Sequence, residues 1–207
     1  MRILLLLTLI LCPLLAAGAQ TPVTVIWQVT SFDINANVQQ NERTLNAVAT
    51  IAATNVGNGS GRTMTVRLNS KANVKSVTVG GATASFRPSP EPRGDLQKIE
   101  ISLPASVAPN GNVTASVTYA LPVESNSGLA SISPISTEFL PLSFWYPMPN
   151  TPYSVRGADT APFHLTVNIP NAISSGVEKG GTAGAITFEQ SLNAQPFFVQ
   201  GDWEKLE

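Results

Sequence analysis

LQKIEISL, residues 96–103, alternates apolar and polar side chains along most of its length. Ile99, Ile101 and Leu103 fall on one face, and Lys98, Glu100 and Ser102 on the other. A strand sends successive side chains to opposite faces, so this run predicts a sheet with one dry side and one wet side. FHLTVNI, residues 163–169, repeats the pattern: Phe163, Leu165, Val167 and Ile169 alternate with His164, Thr166 and Asn168. Phe32–Val38, Leu45–Ala53, Met64–Leu68, Val113–Tyr119 and Ile186–Phe188 follow it less cleanly. Beyond the amino-terminal leader no helix-length apolar stripe occurs. The expected fold is all-β, an antiparallel β-sandwich or stacked twisted sheets.

The connections carry turn chemistry. Gln40–Arg43 suits a hairpin loop, and Gly80-Gly81 a two-residue hairpin turn. Gly57–Gly61 and Pro109–Asn112 supply residues that tolerate positive φ. Pro88–Gly94 carries three prolines and is expected to be an exposed loop rather than a ladder strand. Between Leu121 and Thr160 alternation gives way to recurring prolines, yet Phe139, Leu140, Leu142, Phe144 and Trp145 make the stretch too apolar for a solvated linker. It reads as a proline-rich crossover wrapping the sheets. Within it Phe144, Trp145 and Tyr146 stand together with prolines on both sides, which favours a rigid packed corner over a ligand surface.

The first residues, MRILLLLTLILCPLLAAGAQ, combine a basic start, an apolar run and small residues at 17–19. That is the pattern of a secretory signal peptide, residues 1–19, and it predicts export to the periplasm or extracellular space. A mature span of residues 20–207 follows, with no later apolar run long enough for a membrane span. Cys12, the only cysteine, lies in the leader, so no disulfide is expected in the mature chain. Without Arg2 the chain has 11 Lys and Arg against 13 Asp and Glu, and no basic cluster, so nucleic acid is not an expected partner.

Catalytic chemistry is sparsely furnished. His164 is the only histidine, its alternation puts it on the wet face, and HExxH and GxSxG motifs are absent. Gly57–Thr63 (GNGSGRT) resembles a phosphate loop faintly, but it joins two strand patterns instead of opening a helix. Asn58 and Asn112 begin glycosylation sequons.

The second half has a recognisable order. Thr137-Glu138-Phe139 leads to Trp145-Tyr146-Pro147, then an alternating strand ends in Ile169-Pro170. Thr187-Phe188-Glu189 and Pro196–Trp203 (PFFVQGDW) follow. This order resembles the N-terminal β domain of the aminopeptidase N (gluzincin) family of zinc metallopeptidases. The resemblance runs from about Ile26 to Leu206. It implies that zinc, its ligands and the peptide-cleaving groups belong to a downstream domain missing from this chain, which is then not itself an enzyme. It also implies that the chain's partner is its own catalytic domain. The family's T-Q-F-E element ends in a residue that holds the substrate's amino terminus, and Leu140 stands at that position here, without an acceptor. Glu138, Phe144, Trp145 and Tyr146 are the residues expected at a substrate-binding or interdomain contact, with no catalytic or metal-ligating residue among them. The competing expectation is a standalone secreted β-sandwich module that binds carbohydrate or a cell-surface partner through the Phe144–Tyr146 aromatics.

Overall fold

Alternation builds strands where it is strongest. The structure, a computed structural model, describes residues 22–92, 95–126, 128–149, 160–181 and 184–202. The expected leader at 1–19 and the closing Trp203 lie outside the described residues. The long strands are β1 (Trp27–Gln39), β2 (Thr44–Asn55), β3 (Gly61–Asn69) and β4 (Asn73–Val79), then β5 (Ala82–Thr83) and β6 (Phe86–Pro90) as short ones. β7 (Leu96–Val107) and β8 (Asn112–Pro122) follow, and the crossover adds β9 (Ala130–Ile132), β10 (Thr137–Phe139) and β11 (Met148–Pro149). β12 (Ala161–Val167), β13 (Ala172–Ile173), β14 (Val177–Glu178), β15 (Ile186–Ala194) and β16 (Phe198–Gln200) complete the order.

These strands form an eight-stranded sheet, β14-β15-β12-β1-β2-β8-β4-β5, and two four-stranded sheets, β11-β3-β7-β6 and β13-β16-β10-β9. The dry faces meet. Phe32, Ile34, Ile51, Val117 and Leu165 of the large sheet and Met64, Val66, Ile99 and Ile101 of the second sheet belong to one contiguous buried cluster. The opposite face of the large sheet is polar. There Thr50 and Ser116 hydroxyls lie 2.7 Å apart and those of Thr166 and Thr187 3.0 Å, and exposed His164 pairs in register with Asp33 on one side and Glu189 on the other.

Two expectations need correction. Pro88 and Pro90 do lie in a strand, β6, paired with Ile99 and Gln97 of β7. β6 is the outermost strand of its sheet, so the prolines' missing N–H groups can be turned away from the ladder. The sandwich is also not wholly antiparallel, because β1 and β12 run parallel, Phe32 beside Phe163 and Ile34 beside Leu165. A parallel neighbour needs a long return path, and most of the chain lies between these two strands.

The turns behave as their residues predict. Gly80 and Gly81 take φ of 58° and 84° between Val79 and Ala82, a pair in register, as a two-residue hairpin requires. At one end of the sandwich Asn55, fully buried, ties three backbone segments together. Its Nδ2 donates to the carbonyls of Gly59 (2.7 Å) and Val107 (3.1 Å), and its Oδ1 accepts from the N–H groups of Gly57 (3.0 Å) and Ile26 (3.4 Å).

Candidate functional site

The crossover earns its shape from three successive carbonyls. Pro141 opens a 3-10 turn, Pro141–Ser143, and Phe144 ends it in the left-handed region at φ 52°, ψ 39°. A bulky residue there is strained, and the surroundings must hold it. Asn69 does so twice: its Nδ2 donates to the Ser143 carbonyl (3.0 Å) and its backbone N–H to the Phe144 carbonyl (2.9 Å). The third carbonyl, that of Trp145, accepts from the Tyr119 hydroxyl at 2.6 Å. Burial pushes the Tyr119 hydroxyl's pKa far up, with nearby Tyr146 adding to the shift, so the group stays a donor. Met148 and Pro149 then pair with Arg67 and Val66, fastening the end of the turn to β3.

This fixed turn drives Trp145 and Tyr146 inward, where both are 0% exposed. Trp145 meets Phe198 edge-on at 5.3 Å between ring centroids, Phe139 at 6.0 Å and Tyr146 at 5.1 Å. Phe139 and Phe198 are register partners, 5.1 Å apart, and Tyr146 reaches Phe32 of β1 at 5.3 Å. The rings therefore join the small sheet to the large one, in edge and tilted geometries that add to simple burial.

Glu138 and Phe144 lie elsewhere. Thr137 and Phe139 are buried while Glu138 is half-buried, with Ser131 and Val199 as its lateral neighbours. Extended backbone continues through Leu140 (φ −93°, ψ 156°), whose N–H donates to the Leu129 carbonyl at 2.9 Å, so alternation sets Leu140 on the same face as Glu138. Phe144 is half-buried and lines a groove of about 500 Å³ together with Leu96, Leu121, Val123, Leu129 and Leu142. Leu142 is 68% exposed. The Lys71–Glu124 ion pair, 2.9 Å, belongs to the same lining, and its hydrogen bond lowers the Glu124 carboxyl's pKa. The structure thus separates the four expected site residues into a buried pair, a groove residue and a sheet-face carboxylate. Tyr119, Asn69 and Phe198, which position them, carry no local mark in the sequence beyond strand alternation. Among the described residues no three His, Cys, Asp or Glu side chains are grouped to hold a metal ion, and no helix is long and apolar enough to cross a membrane.

No family model and no curated protein sequence matches the chain. Solved structures do match. An M1 zinc metallopeptidase from Deinococcus radiodurans superposes with a TM-score of 0.67 at 18% identity, over 86% of this chain and 43% of that one. The fold is shared with M1 zinc metallopeptidases. Native yeast LTA4 hydrolase agrees, with a TM-score of 0.68 at 15% identity over 87% of this chain and 30% of its own. The chain spans less than half the length of the structures it matches, so what it shares with the M1 fold is the β portion described above.

Proposed function

We propose that this chain is the non-catalytic N-terminal β domain of an exported zinc-aminopeptidase-like protein. In that role it packs on a downstream catalytic domain and walls off the amino-terminal side of the substrate. The observation that carries the reading is the coverage: 86% of this chain superposes on 43% of an M1 peptidase, as one domain of a larger enzyme should. The same peptidase has been solved with a Tyr-Ser-Ala substrate, which makes short peptides the substrate class to test on the whole protein. Zinc would be held in the missing domain, and the face carrying Glu138 and Leu140 is the surface offered to it. Residues 20–207 with added zinc are expected to fold and to release nothing from aminoacyl anilides; turnover by this span alone would overturn the reading. The native exported protein is expected to be much larger than this chain, to contain zinc and, if whole, to start at Gln20.

The half-buried Phe144 in its groove favours one second reading, a standalone secreted binding module. Trp145 and Tyr146 are buried, so Phe144, Leu129 and Leu142 would form its contact surface. A metal-free native species of the mature mass would select this reading over the first.

A further inference from the structure

The loop Gly57–Gly61 does something neither reading assigns to it. Residues 22–26 lie along it as an extended segment. The Val56 N–H donates to the Ile26 carbonyl at 2.8 Å and the Gly59 N–H to the Thr24 carbonyl at 2.9 Å. Asn58 grips the same segment from the side: its Oδ1 accepts the Thr24 N–H at 2.7 Å and its Nδ2 donates to the Pro22 carbonyl at 3.2 Å. One amide side chain thus reads a donor and an acceptor of a neighbouring backbone, and its Oδ1 also accepts from the Thr24 hydroxyl at 3.2 Å.

Selectivity comes from the glycines. A Cβ at Gly57 would collide with the Thr24 carbonyl, and one at Gly59 with the Val23 side chain. A Cβ at Gly61 would come within 2.6 Å of Val25 Cγ1 and 2.9 Å of the Trp27 ring. The spacing of glycines at alternate positions therefore matches the alternation of Val23 and Val25. Val23 itself is 80% exposed, so the segment is held by its backbone and by these close contacts rather than by burial in the core.

We infer that Gly57–Gly61 is a binding cleft for an extended peptide of the form Val-x-Val, occupied in cis by residues 22–26 of this chain. Backbone hydrogen bonds and the Asn58 amide hold the guest, and the missing Cβ atoms of Gly57, Gly59 and Gly61 leave room for its close approach. The cis segment is tethered to its own cleft, which excludes weaker guests through a millimolar effective concentration.

The test uses the full chain with the doubly substituted segment V23D/V25D, which places carboxylates against the glycines and leaves the cleft intact. Exchange of the Val56 and Gly59 amides is expected to accelerate by at least about tenfold, since local opening sets exchange. Capped peptide PVTVI, titrated into this 15N-labelled variant, is expected to shift the same amides saturably, at concentrations about tenfold below those needed with the unsubstituted chain. Adding Asn58→Ala to the variant should weaken that binding. Unchanged amide exchange, absence of saturable shifts at millimolar peptide, equal titration of both chains, or indifference to Asn58→Ala would each overturn the inference.

Discussion

Trp145→Ala removes a ring that touches Phe139, Tyr146 and Phe198 at once, inside a turn whose three carbonyls are already committed. The backbone cannot collapse into the gap, so the substitution is expected to cost about 3–5 kcal/mol, read by urea unfolding. A loss below about 1 kcal/mol would place Trp145 at the surface. Tyr119 gives a pH signature. Its pKa is raised in the folded chain from the ordinary value of 10.0, so below pH 10 it is protonated in both states and contributes no pH dependence. Above that value the unfolded chain releases a proton that the folded chain keeps, and stability falls by about 1.4 kcal/mol per pH unit. Tyr119→Phe should lose this alkaline slope in denaturation curves above pH 10. At neutral pH it should still be less stable by about 1–3 kcal/mol, because the Trp145 carbonyl loses its donor. An identical alkaline slope in both proteins would contradict the assignment.

Elements differ in how openly the sequence announces them. β7 and β12 are legible because Ile99, Ile101, Leu165 and Val167 alternate with polar residues over a full strand length, and both strands are buried on one face only. β4 is not legible, since Asn73–Val79 begins with a bulge between Val74 and Ser76 that breaks the period of two. β9, β10 and β16 are three residues each and owe their existence to one another, which no local pattern records. The flanking prolines favour a rigid packed corner at Trp145 and Tyr146, but they do not show that both rings are buried. The groove around Phe144 is not legible, because it depends on a left-handed residue held by Asn69 from 75 positions away. β6 shows the reverse error: its prolines read as a loop, whereas on an edge they keep other chains from pairing. Replacing Pro88 and Pro90 with threonine restores two N–H groups on that edge. More light scattering during refolding is expected, with little change in the unfolding midpoint; scattering equal to that of the unsubstituted chain would show the edge is guarded by something else.

At the scale of the molecule, the rings of Phe32, Tyr146, Trp145 and Phe198 tie the β13-β16-β10-β9 sheet to the large one, and all three sheets contribute side chains to a single buried cluster. Unfolding is therefore expected as one transition, with tryptophan fluorescence and far-ultraviolet dichroism coinciding; two separated transitions would mean that the small sheet melts by itself. The parallel contact between β1 and β12 sets the timing of assembly. Asn37 and Asn168, which are hydrogen-bonded at 2.7 Å, stand 131 positions apart in the chain. Closing a loop of that length costs about 4 kcal/mol of chain entropy before any contact repays it. A ribosome adds about 5–20 residues each second, so on the order of ten seconds separates the synthesis of the two strands. During that interval β1 has β2 on one flank and no neighbour on the other, and whatever shields that flank in the cell decides how much of the protein reaches its native state.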